Sequence, residues 1–194
     1  MSNEIPDWND VGILPPISVS SPTSSNRSPY KTNTIELVSR YAFNKQRISI
    51  LGGFLEFRSR LYEIGMVSGF QWVDGSFTEN IELTESRPPN DIDVVTFFHT
   101  PEGQTQQSLM CKDMSLFLPE QGSWRKSVFM VDSYWQSLSS EPEKLVERTV
   151  YWYSMWAHKR DLSWKGFLQV PLSESDDLQA KAKLNAIISG GYSE

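Results

Sequence analysis

The chain has 194 residues, 39% of them hydrophobic and 22% charged, which suits one globular domain with a sizeable core. A net charge of −6 argues against a general nucleic-acid binder, which carries a basic footprint. A single cysteine, Cys111, excludes an intrachain disulfide and reads as a buried structural thiol in a reducing compartment. No run approaches the roughly 20 apolar residues of a membrane span. The acidic opening MSNEIPDWND has no apolar stretch behind it, so no secretory signal is expected. A soluble, cytoplasmic protein is the expectation.

Residues 1–33, rich in Pro, Ser, Asn and Thr, read as an extended N-terminal arm, with 34–194 as the domain. Trp8, Ile13, Leu14, Ile17 and Tyr30 are too apolar for a freely solvated tail, so part of the arm is expected to lie on the domain. A helix is predicted from Thr34 to about Phe43, with Asn33 or Thr34 as N-cap. A stronger one runs from about Lys45 to Ile64, where Ile50, Phe54, Phe57, Leu61 and Ile64 recur every three or four residues. Gly52 and Gly53 weaken it by roughly 1 kcal/mol each relative to Ala, which implies close packing there. Gly65 is its natural stop.

A strand over 70–74 leads into Gly75-Ser76, residues 77–90 read as a polar spacer, and a second strand spans about 91–98. Residues 105–118 suggest a helix packing Leu109, Met110, Leu116 and Phe117. A further strand is predicted over about Lys126 to Tyr134. Glu141 to Trp156 reads as a helix with Leu145, Thr149, Trp152 and Trp156 on its apolar face. A late strand (KGFLQVPL) and a terminal helix from Glu174 to Ile188 follow. The sum is an α+β, sandwich-like fold: a small mixed sheet flanked by helices.

The chemistry gathers around the second strand. Side chains alternate along a strand, so Asp91 and Asp93 point one way while Ile92 and Val94 face the core. Two adjacent carboxylates repel unless a cation lies between them, and Mg²⁺ binds through one or two carboxylates plus substrate phosphates. Asp132 interrupts the apolar run VFMVDSYW. An unpaired buried carboxylate costs several kcal/mol, so Asp132 needs a partner unless it lies on a wet edge or caps a helix. Gly75 and Ser76 allow close backbone approach and offer donors to a phosphate, or make a plain tight turn. Arg87, Lys112, Arg125, Lys126, Lys159, Arg160 and Lys165 are candidate cations. His99 and His158 read as structural. The aromatics of YWYSMW (Tyr151 to Trp156) read as core, with base stacking as the other use of one of their faces.

Gly75-Ser76, a spacer, and Asp91-Ile92-Asp93 at the head of an apolar strand resemble the signature of the polymerase-β-like nucleotidyltransferase superfamily. The segments GILPPISVSSPTSSNRSPY, GFQWVDGSF and PNDIDVV are similar to a compact bacterial branch of it. The resemblance implies a nucleotidyltransferase-type sheet, phosphates held at Gly75 and Ser76, and Mg²⁺ or Mn²⁺ bound by Asp91, Asp93 and Asp132. Asp132 would act as general base. The implied activity moves a nucleoside monophosphate from an NTP, with ATP favoured, to a hydroxyl acceptor. An acidic chain favours a protein or small molecule over a polynucleotide as that acceptor. A toxin–antitoxin or phage-defence setting fits minimal bacterial members. The alternative is a catalytically inactive member serving as a binding or antitoxin module. Phe77-Thr78-Glu79-Asn80 stands where typical members carry small or basic residues, and the spacer of 14 residues before Asp91 is longer than usual.

Overall fold

Two asparagines open the helical layer. The Asn33 side chain accepts the backbone N–H of Glu36 at 2.8 Å and starts α1 (Thr34–Tyr41). Asn44 accepts from Arg47 at 2.9 Å and starts α2 (Lys45–Glu63). Each satisfies a donor that the first helical turn leaves unpaired. The apolar stripe of α2 is buried as the spacing predicts, from Ile50 through Phe54, Phe57 and Leu61 to Ile64. Gly53 is the packing glycine: a Cβ there would collide with the Phe129 carbonyl.

The computed structural model describes residues 4–190. Its sheet holds β1 (Tyr30–Lys31), β2 (Gly69–Asp74), β3 (Ile92–Phe98), β4 (Val131–Ser137) and β5 (Leu168–Pro171), in the spatial order β1-β5-β2-β3-β4. β2 runs antiparallel to β3 and β5, whereas β3 pairs parallel with β4 and β1 with β5. The remaining helices are α3 (Ile81–Thr84), α4 (Gln106–Met110), α5 (Gly122–Phe129), α6 (Pro142–Trp156) and α7 (Glu174–Gly190). The fold is an α+β sandwich with a mixed sheet.

Strand alternation divides the core. Val73, Ile92, Val94 and Phe98 face the main core, which α1, α2, α5 and α7 fill with Leu37, Phe54, Phe129 and Leu184. Trp72, Val95 and Phe97 face the other way, where Trp152 and Trp156 of α6 and Phe167 cover them. From the first 33 residues, Ile13, Leu14 and Tyr30 are buried, and Tyr30–Lys31 supplies the edge strand β1. Among the described residues no helix is long and apolar enough to cross a membrane.

Three expectations are corrected. The strand predicted over Lys126 to Tyr134 is two elements: α5 ends after Phe129, and β4 starts at Val131. Met130, left-handed at φ 56°, turns the chain between them, at a position that glycine usually marks. Cys111 is exposed, because Leu109 takes the buried side of the short helix α4; Met110 also stays partly outside. The spacer after Ser76 is not simply polar: Phe77, Thr78, Glu79 and Ile81 are buried. Arg47, itself fully buried, pins it by donating to the carbonyls of Phe77 and Glu79, each at 2.6 Å, and by pairing with Glu82.

Candidate active site

The sheet register brings three aspartates into one row. Asp74, the last residue of β2, lies opposite Asp93 of β3, and Asp93 lies opposite Asp132 of β4. Paired residues on neighbouring strands point to the same face, so the three carboxylates form a rung. That face is apolar further along, where Trp72, Val95 and Phe97 pack under α6, and acidic where β2 ends and β3 and β4 begin. Asp91 stands one residue ahead of β3 and shares a counterion with Asp132.

That counterion is Lys126, in the last turn of α5. Its ammonium lies 3.1 Å from Asp91 and 2.7 Å from Asp132, and stands between the two carboxylates like a bound cation. Burial alone would lower the Lys126 pKa, but bonds and attraction to Asp132 and Asp91 outweigh it and raise it. A second lysine guards the other end of the rung. Lys165, buried just before β5, reaches Asp74 at 2.9 Å and Glu79 at 2.8 Å, and Lys159 approaches Glu79 at 3.6 Å. Burial of Lys165 is likewise outweighed by Asp74 and Glu79, and its pKa is raised.

Asp93, in the middle, has no ion-pair partner among the described residues. Burial first, then the charges of Asp91, Asp74 and Asp132, push its carboxyl up to about 7; Lys126 opposes them only in part. Burial also raises Asp74, against the pull of Lys165. Five carboxylates (Asp74, Glu79, Asp91, Asp93, Asp132) face three ammoniums (Lys126, Lys159, Lys165), so the fully ionised cluster carries two uncompensated negative charges.

The turn beside the rung requires glycine. Gly75 adopts φ 85°, and a Cβ there would collide with the Asp93 carboxylate. Ser76 opens a short 3₁₀ turn to Thr78, and its hydroxyl has no hydrogen-bond partner among the described residues. All five residues expected to form a site thus lie together: Gly75, Ser76, Asp91, Asp93 and Asp132. Of the candidate cations, Lys126, Lys159 and Lys165 join them. Arg87 pairs with Glu85, Lys112 donates to the Ile64 carbonyl, Arg125 donates to the carbonyls of Ser115 and Leu118, and Arg160 is exposed. His99 and His158 are exposed.

Sequence reasoning missed Asp74 and Glu79. The signal for Asp74 was its place directly before Gly75, which an antiparallel register set against Asp93 makes meaningful. Glu79 is marked only by its buried partner 86 positions later, Lys165.

Among the described residues no three His, Cys, Asp or Glu side chains are close enough to hold a metal ion as they stand. The donor set is nonetheless all carboxylate oxygen, which suits a hard divalent cation, and its excess charge matches one. Lys126 already fills part of that role.

Residues 6–171 match the model of a family of unknown function (DUF6932). The chain belongs to that family. No curated protein and no solved structure is similar to it. The DUF6932 match contains the whole rung, the Gly75 turn and all three lysines, and it ends with the last residue of β5, before α7.

At the β4 end of the rung stands Tyr134, two residues beyond Asp132 on the same face. Burial, then the negative charges of Asp132 and Asp93, raises its phenol above the usual value. The rings of Tyr134 and Tyr151 both lie against Trp152, at centroid distances of 4.9 and 5.1 Å.

Proposed function

We propose that this DUF6932 chain is a metal-dependent nucleotidyltransferase of polymerase-β-like type, working in the cytoplasm on ATP or another NTP. The observation that carries the reading is the rung: Asp93 between Asp74 and Asp132, with Asp91 alongside and the Gly75-Ser76 turn pressed against Asp93. Asp91, Asp93 and Asp132 would hold Mg²⁺ or Mn²⁺. The bound cation would neutralise charge on the reacting phosphates and on the departing pyrophosphate.

The chain's own residues supply the rest. Gly75 lets phosphate oxygens approach the backbone, and the free Ser76 hydroxyl is a donor for them. Asp132 takes the proton of the attacking hydroxyl while that oxygen bonds the α-phosphorus and pyrophosphate leaves. Lys126, released from Asp91 and Asp132, becomes a mobile positive charge beside the phosphates. Lys165 fixes Asp74 and, through the Gly75 carbonyl at 3.4 Å, the turn itself. A toxin–antitoxin or phage-defence role, with a protein or small molecule as acceptor, accords with the acidic surface.

The Lys126 bridge also favours a second reading. An Asp91–Asp132 pair already bridged by a lysine suits an inactive binding or antitoxin module. One experiment separates the two: incubation with each α-³²P-labelled NTP and Mn²⁺ in cell lysate, for wild type and Asp91→Ala/Asp93→Ala. Label transfer that needs both aspartates is the expected result. Equal labelling by the variant, or no labelling with any nucleotide, overturns the transferase reading.

A further inference from the structure

The three lysines of the site are held in different ways. Lys165 is buried between Asp74 and Glu79, and Lys159 adds to Glu79. Among the described residues neither pairs with Asp91 or Asp132. Arg125, the neighbour of Lys126 in α5, is tied to the carbonyls of Ser115 and Leu118 at 3.1 and 2.8 Å. Lys126 is the cation that is free to move. Its side chain is 44% exposed, and it contacts one oxygen, Oδ2, of Asp91 and of Asp132. The helix beneath it is fixed, because a Cβ at Gly53 of α2 would already collide with the Phe129 carbonyl at the end of α5. A flexible four-carbon stem therefore swings from a rigid anchor.

A cation that bridges Asp91 and Asp132 needs the oxygens that Lys126 holds. A divalent ion arriving alone breaks both ion pairs and leaves the ammonium without an anion. A triphosphate arriving alone meets the carboxylates and finds the ammonium taken. Arriving together, the ion takes the carboxylates and the phosphates take the ammonium. The Gly75 turn presses on Asp93, and neighbouring strands lie about 4.8 Å apart, so phosphates at the turn lie within reach of Lys126 at the Asp132 end.

We infer that Lys126 exchanges partners, from Asp91 and Asp132 to the phosphates, and that this exchange makes a divalent cation and a nucleoside triphosphate bind as one unit. The inference rests on the nucleotidyltransferase reading and adds to it how the site is loaded. Coupling of this kind is reciprocal: nucleotide tightens metal by the factor that metal tightens nucleotide. Direct contact between ion and phosphates contributes to that factor whatever Lys126 does. The signature of the exchange is therefore two opposite effects of removing the lysine.

Calorimetry on the full chain tests it with Mn²⁺ alone and with the α,β-methylene analogues of the four NTPs, with and without Mn²⁺. The methylene bridge blocks transfer, so binding is read without turnover. For Lys126→Met, Mn²⁺ alone should bind about two- to fivefold tighter. The analogue at saturating Mn²⁺ should bind about two- to fivefold weaker, because a charge-assisted contact to phosphate is lost. The coupling factor then falls about tenfold. Lys126→Arg, which keeps the charge and can span two carboxylates, should keep the wild-type pattern. Tighter binding in both measurements would mean that Lys126 only competes, and weaker binding in both that it only organises the carboxylates. Either result, or an unchanged coupling factor, overturns the inference alone. Failure of all four analogues to bind, with or without Mn²⁺, overturns the transferase reading with it.

Discussion

Two groups of buried charge lie on opposite faces of the same sheet. On the main-core face, Arg58 of α2 is fully buried and donates to Asp177 of α7 at 2.7 Å, to Gln71 at 2.6 Å and to the Pro171 carbonyl at 2.7 Å. Gln71 in turn donates to Thr96, and Tyr62 to Asp177. One positive charge meets one negative charge, and the neighbours are neutral hydrogen-bonding groups. On the other face the cluster around the rung holds five carboxylates against three ammoniums, and the central carboxyl of the rung, Asp93, has no ion-pair partner among the described residues. The first group joins α2, β2 and α7 into one body. The second is costly to the folded state as it stands, a cost that the proposed cation would offset.

That contrast is sharpest in stability. Arg58→Met should leave Asp177 buried without a counter-charge and destabilise the fold by about 3–5 kcal/mol. Urea unfolding measures it, and a loss below about 1 kcal/mol would remove the distinction between the two clusters. Asp93→Asn should do the reverse. Because the folded carboxyl titrates at about 7, above its unfolded value, the native state holds a proton that the unfolded state has released. The Asp93 contribution to stability therefore falls as pH rises from about 4 to about 7. Asp93→Asn, which cannot ionise, should be more stable by about 1–2 kcal/mol at pH 8, with the gain fading towards pH 4. Thermal melts across that range check the sign, and a gain that does not vary with pH would refute it. The smallest effect belongs to Lys126→Met. Half-exposed ion pairs contribute little, so the fold should change by under about 1 kcal/mol. Removal of the competing ammonium should tighten Mn²⁺ binding in the absence of nucleotide by about two- to fivefold, by calorimetry. Weaker Mn²⁺ binding would show that Lys126 organises the carboxylates instead of competing for them.

Much of this was legible from residue order. Asn33, one of two N-caps considered, announced the start of α1, and the three-four spacing from Ile50 to Ile64 announced the buried face of α2. Gly75-Ser76 and Asp91-x-Asp93 flagged the site, because glycine at a strand end and paired carboxylates have few plain uses together. What stayed hidden depended on contacts far apart in the chain. Asp74 matters because antiparallel register sets it beside Asp93. Lys165 and Glu79 meet across 86 positions. Met130 breaks VFMV into a helix end and a strand start, and no glycine marks the turn. The Arg47 guanidinium shapes the spacer after Ser76 through carbonyls 30 and 32 positions away, contacts that the apolar spacing of α2 does not signal.

The position of β5 bears on how the chain acquires its shape. Leu168–Pro171 sits between β1 and β2, so within the sheet residues near 30 and near 70 are joined through a strand made about a hundred residues after β2. Such non-local pairing is slow to form, because long loops close before the contacts repay them. During synthesis, β2, β3 and β4 can assemble first, with one flank of β2 bare. At that stage Asp74 and Glu79 still lack Lys165, the residue that will pair with both. A ribosome-bound chain halted near residue 160 would therefore expose both a sheet edge and an unbalanced acidic row, and arrival of the last strand closes the two at once.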